Sequence, residues 1–389
     1  MSESAETALL GEVVRSPGDD APRLVWADAR GGERGELVAL QCELARGVRP
    51  VAEAGAIRRR QRELVDQYGH GWSGLDGLAK RCRFRRGFVE LATFSAARFC
   101  DHADAIFAAA PLLASIELED VTDLWVQRVL EHPAFGQVRG FALGVGANAD
   151  DALVAGAGNG AFSKLATLRL GDLRPRTAQE LIVSRQLRHL ERLVVSGSDE
   201  HLQAVFATTT RLRALDLWFQ RKPDRLVPSL PPTLTELVIS ASALDVLAAT
   251  PLASRLERLV LTDVRGADVL PVLGAFTSLR SLDVHTRTAT VLEAVGFAAA
   301  ALPQSLRELR CNRISPETAR VVAEQYGAQL ELLEINGLDV EVADTLQPLV
   351  AGELFANPLV PSWFPMFAGE LPHAPGWDYP FVRFSPARS

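Results

Sequence analysis

Apolar positions along the chain fall into a repeated phrase. The pattern L-x-x-L-x-L, with Val, Ile, Phe or Cys also allowed, opens at Leu113, Val138, Leu165, Leu190, Leu212, Leu234, Leu256, Leu279, Leu306 and Leu330. Successive copies lie 22–27 residues apart. A recurring period of this length marks a stacked repeat array. The closing L-x-L alternates with period two, which predicts a short strand with one buried face. Between phrases the spacing turns helical, as in Leu202, Val205 and Phe206, Leu244 and Leu247, and Ala319, Val322 and Tyr326. The last of these segments, "SPETARVVAEQYG", offers Ser315 as N-cap, Pro316 in the first turn and Gly327 as a stop. One strand and one short helix cannot bury their own apolar side. Stacked units can, so parallel strands lining a curve are expected.

Residues 1–100 lack the phrase. "ETALLGEVVRS" predicts an amphipathic helix ended by Pro17-Gly18. Asp19 or Asp20 can cap a second helix that carries Pro22 in its first turn and buries Leu24, Val25 and Trp26. Gly31-Gly32 ends it, and Leu37, Leu40, Gln41 and Leu44 then mark a third. "AIRRRQRELVDQYG" predicts a charged helix, "RCRFRRGFVELATFS" a strand or hairpin, and "FCDHADAIFAAAP" a helix leading into the array. Residues 345–389 differ again, with eight prolines among aromatics such as Trp363, Phe367, Trp377 and Tyr379. Proline excludes long helices and central strands there. The segment reads as a cap on the open end of the array or as a docking segment. Three regions result: 1–100, 101–344 and 345–389.

On these residues, positions 113–338 resemble the leucine-rich repeat family. The resemblance implies an α/β solenoid, a horseshoe of about ten repeats with parallel strands on the concave face, joined to a small, mainly helical N-terminal domain. The family often places Asn or Cys three residues after the closing L-x-L. Here Val121, Gly146, Leu173, Ser198, Gln220, Ser242, Val264, Arg287, Ile314 and Leu338 hold that place. With no such ladder, irregular turns are expected. A second resemblance covers residues 6–95. "DDAPRLVWADARGGERGELVALQCELAR" and "FRRGFVE" look like the bacterial repeat-companion domain, departing from it after Asp28, where the usual aromatic-acidic segment is shortened. That resemblance implies a companion of repeat modules and no chemistry of its own. Asp28, Glu36 and the neighbouring arginines then read as a local salt-bridge set.

Composition narrows the function. Hydrophobic residues make up 48% of the chain, enough for a large core. A net charge of −7 disfavours nucleic acid, and the basic runs at 58–62 and 80–86 lie among Glu63, Asp66, Asp76 and Glu90, as an ion-paired face would. No 18-residue apolar run predicts a membrane span, and "MSESAETALLGEVVRSPGDD" carries neither a basic leader nor an apolar run of signal length. Cys42, Cys82, Cys100 and Cys311 form no CxxC pair, so free thiols in a reducing cytoplasm are expected over disulfides. The Gly-rich stretch 144–162 lacks both phosphate-loop patterns, and His102 between Asp101 and Asp104 lacks ligand spacing. No nucleophile motif appears, so no catalytic residue, metal or cofactor is expected.

Period two leaves outward ladders on the predicted concave wall. Val194, Trp218, Val238 and Val260 form a less polar centre, flanked by Asp216, Asp283, His285 and Arg310. An apolar centre with a charged rim is what a protein-binding patch usually shows. The expected function is therefore a non-catalytic module that binds another protein through this face. The rival is a regulatory or substrate subunit, recognised or modified by a neighbouring enzyme through the N-terminal domain or the tail. An active site assembled from loops is the third reading.

Overall fold

The computed structural model describes residues 3–46, 51–119, 121–144, 149–217, 223–264, 267–285, 302–312, 314–336, 340–357 and 381–383. The chain is α/β and divides into two compact units. One is drawn from residues 1–49, 57–167 and 373–389, the other from 50–56 and 168–372.

The first unit opens with α1 (Glu3–Arg15), α2 (Asp20–Arg30), α3 (Gly32–Ala45) and α4 (Val51–Ser73, mostly in this unit). Asp19 caps α2 by accepting from the Ala21 N–H at 2.9 Å, and Gly31 and Gly32 take positive φ to end it. Val25, expected inside, is 54% exposed, whereas Arg23 is wholly buried. The inward face runs Arg23, Trp26, Ala27, the i, i+3, i+4 row of a helix. Burying a guanidinium requires several acceptors. Arg23 has them: its Nη2 donates to Pro17 O and Glu90 Oε1, both at 2.8 Å, and its Nη1 to Arg86 O at 3.2 Å. Trp26 meets Phe88 edge-on at 5.0 Å within a core that includes Val13, Val38, Cys42 and Leu112.

The "RCRFRRGFVELATFS" segment is a hairpin, β1 (Arg81–Arg85) and β2 (Phe88–Ser95). Arg86 and Gly87 both have positive φ, as a two-residue type I′ loop needs. Residues Phe381–Arg383 pair antiparallel with β1. α5 (Ala96–Ala109), β3 (Ser115–Glu119), α6 (Asp123–Glu131), β4 (Gly140–Leu143) and α7 (Asp150–Gly158) follow. β2 also pairs parallel with β3, and β3 with β4, so stacking begins one strand before the first phrase.

The second unit holds β5 (Thr167–Leu173), β6 (Arg192–Gly197), β7 (Ala214–Asp216), β8 (Glu236–Ser240), β9 (Arg258–Thr262), β10 (Ser281–Val284), β11 (Glu308–Asn312), β12 (Leu332–Asn336) and β13 (Glu353–Asn357). They lie side by side in chain order, and the pairs from β6 onward are parallel. Every one of the ten phrases supplies a strand, and β13 adds one beyond them. The leucines turn inward: Leu193, Leu215, Leu237, Leu259, Leu282, Leu309 and Leu333 are all buried. Each such burial stabilises by about 1.5–3 kcal/mol. Helices α8 (Pro175–Val183), α9 (Asp199–Thr208), α10 (Leu244–Ala248), α11 (Pro316–Tyr326) and α12 (Val340–Leu346) connect the strands. Ser315 caps α11 through the Thr318 N–H at 3.1 Å. Between β7 and β8, and between β9 and β10, 3-10 turns take the helix's place, where Pro223, Pro228 and Pro271 oppose α-helix.

With no side-chain ladder in the turns, successive coils are joined at the strand entry by forked carbonyls. Glu191 O accepts from Arg213 N–H at 2.8 Å and Ala214 N–H at 3.0 Å. Arg213 O then accepts from Thr235 and Glu236, Thr235 O from Glu257 and Arg258, and Glu257 O from Arg280 and Ser281. Arg280 O and Arg307 O continue the series. In the first unit Ala114 O and Arg139 O do the same. The fork needs only backbone, so any residue but proline can supply its N–H groups.

Candidate functional site

The face of the second unit's sheet opposite the leucines carries three rows of side chains, aligned by strand register. The middle row is continuous: Val194 faces Asp216, then Val238, Val260, Asp283, Arg310 and Glu334, each opposite the next. The geometry brings together six of the eight residues expected at a binding patch. His285 stands two residues beyond Asp283 at the end of β10, and Trp218 lies outside the described residues.

The row before it was not singled out from sequence, and it explains the charges. It reads Arg192, Ala214, Glu236, Arg258, Ser281, Glu308, with opposite signs within reach of one another across strands about 4.8 Å apart. Arg192 pairs with Glu236 across β7, where Ala214 leaves room. Arg258 Nη2 donates to Asp283 Oδ2 at 2.9 Å. Arg310 Nη1 donates to Asp283 Oδ1 at 3.3 Å and to Glu308 Oε2 at 3.1 Å, and its Nε to Glu334 Oε2 at 3.2 Å. Ser281 Oγ donates to Glu308 and accepts from Arg310. The third position of L-x-x-L, read down the repeats, held this signal.

These lateral pairs fold the charges into the face. Asp283 is 0% exposed, Arg258 4% and Arg310 5%, and Val194, Asp216 and Val260 are buried too. Among the described residues of the expected patch only Val238 and His285 are partly accessible, beside the half-buried Arg192, Ser196 and Glu236. The solvent-facing apolar centre is thus narrower than the ladder alone suggested. Each guanidinium lies beside a carboxylate in a setting of low effective dielectric, which makes removal of one partner costly.

The first unit repeats the theme. Lys80 and Arg81 pair with Glu119, Arg60 grips Glu36 through two hydrogen bonds at 2.7 and 2.9 Å, and Arg86 meets Asp20 at 3.3 Å. Glu36 therefore finds its partner outside the local set expected of it, and Asp20, expected as a possible cap, pairs with Arg86 and, at 3.7 Å, with Arg46. Arg34 differs. Its guanidinium lies 5.0–5.7 Å from the ring centres of Trp72, Phe84 and Phe88. No carboxylate pairs with it among the described residues, and burial pushes its pKa down to about 10. Trp72 in turn stacks on Tyr68 at 5.1 Å.

All four cysteines are free; Cys42, Cys82 and Cys311 are buried. Burial raises the thiol pKa of Cys42 and Cys82 to about 12 and that of Cys311 further, which makes them poor nucleophiles. Among the described residues no three His, Cys, Asp or Glu side chains converge as a metal site, and no helix is long and apolar enough to cross a membrane. No protein-family model matches the chain, and no curated protein matches it either.

Proposed function

We propose that the chain is a non-catalytic protein-binding module. In this reading it is a leucine-rich-repeat horseshoe with a repeat-companion-like N-terminal domain, and another protein docks on its strand-lined face. The observation that carries the reading is the in-register row from Val194 to Glu334, held by lateral ion pairs. Side chains fixed before binding lose little freedom on docking, which favours affinity. The partner would read Val238, Arg192, Glu236, Ser196 and His285, the accessible members of that face.

The rival, recognition through the N-terminal domain, is supported by Arg34 on its aromatic seat beside Tyr68 and Trp72. Arg, Trp and Tyr dominate interface energetics. The two readings separate in a capture experiment from the source cells, with the intact chain as bait. A protein enriched by the wild type and lost with the Arg192→Glu, Val238→Asp variant supports the sheet face. Loss with Arg34→Gln instead, while the sheet variant still binds, transfers the function to the first domain.

A further inference from the structure

A groove of about 390 Å³ opens in the first unit between α6, the 3-10 turn Pro133–Gln137, α7 and the turn that follows it. Its floor is apolar: Leu130, Phe135, Ala152 and Gly156 line it, and all are buried. Gly156 allows α7 to approach α6 closely, since a Cβ there would lie 2.6 Å from Leu130 Cδ1. Two opposite charges stand on the rim. Glu131 accepts from Gln127 Nε2 at 2.8 Å, and Lys164 Nζ donates to Gly136 O at 3.4 Å. Both are exposed, and neither has an ion-pair partner among the described residues. Asn159 and Ser163 add an amide and a hydroxyl.

We propose that this groove binds a small zwitterion with an apolar side chain, a free amino acid or a dipeptide. The volume lies in the range of small-ligand sites, which pair an apolar lining with a few placed polar groups. The ligand's ammonium meets Glu131, its carboxylate meets Lys164, and its side chain covers the floor. A ligand of one charge leaves the other rim group without a counter-charge and so gains one ion pair where a zwitterion gains two. A neutral apolar ligand gains neither. The groove lies outside the second unit's sheet face, so the two functions stand or fall separately.

Titration calorimetry on the full chain tests this with leucine, phenylalanine and the dipeptide Leu-Leu, each against its N-acetyl and C-amide forms. A dissociation constant of about 0.1–1 mM is expected for the best zwitterion, and single residue against dipeptide decides the ligand length. Blocking either end weakens binding about tenfold. Glu131→Gln removes the preference for a free amine, and Lys164→Met the preference for a free carboxylate. Ala155→Leu, on the groove wall within α7, abolishes binding with the melting temperature kept, because leucine suits a helix. Absence of saturation by any zwitterion at about 5 mM, or equal binding of blocked and free forms, overturns the proposal.

Discussion

Asp283 is the residue on which the second unit's polar face most depends. Its carboxylate accepts from Arg258 at 2.9 Å and from Arg310 at 3.3 Å, and none of the three reaches solvent appreciably. Arg310 keeps Glu308 and Glu334 if Asp283 is neutralised, but Arg258 has no second carboxylate among the described residues. Asp283→Asn keeps the shape and removes the charge. Breaking a buried pair in this way costs about 3–5 kcal/mol, because a guanidinium is left uncompensated. At roughly 2–4 °C per kcal/mol for a unit of this size, melting falls by about 6–20 °C. Circular dichroism on heating, with urea titration as a second measure, reads the change. Replacing both ends, Arg258→Met with Asp283→Leu, removes charge and counter-charge together and is expected to restore most of the loss. If Asp283→Asn melts within about 2 °C of the wild type, or the double replacement is no better than the single, the pair is not an energetic unit.

Three other outcomes are expected. Gly87→Ala costs at least about 2 kcal/mol in the first unit, since φ is +81° and a Cβ would sit 2.1 Å from Val38 Cγ2 and 2.8 Å from its Cα; an unchanged urea midpoint refutes the tight hairpin seat. Native protein at pH 8 gives at most one thiol, Cys100, to a disulfide reagent, and all four in denaturant, because thiolate at a pKa of about 12 is about one part in ten thousand; rapid labelling of two or more native thiols contradicts this. Arg60, hydrogen-bonded to Glu36, holds that carboxyl below its usual 4.5, so the stabilisation is full above that value and fades as pH falls through the lowered one. Glu36→Gln is expected to flatten the acid limb of the stability curve; an acid limb that superposes on the wild type removes the pair from consideration.

Strand positions were legible because L-x-L states both the period and the buried face, and register in a parallel stack follows from aligning the leucines. Every outward row could therefore be written down from the chain alone. What no single segment states is burial across rows. Asp216 and Asp283 looked like a charged rim because each was read along its own strand, where its neighbours are leucine and valine. The counter-charges stand one or two strands away, Arg258 to Asp283 diagonally and Arg192 to Glu236 across Ala214. Arg23 in α2 is the same case, since its acceptors sit at Pro17, Arg86 and Glu90. Charge on the polar face of a repeat therefore becomes informative only when columns are read together. A column of alternating sign predicts lateral pairing and a closed face, and a break in the alternation marks where the face stays open. In the middle row the uncharged stretch includes Val238, which stands in register between Asp216 and Val260 and offers neither a charge to pair with. It is the one member of that row's apolar centre left partly accessible. A docking partner should therefore be sought around β8.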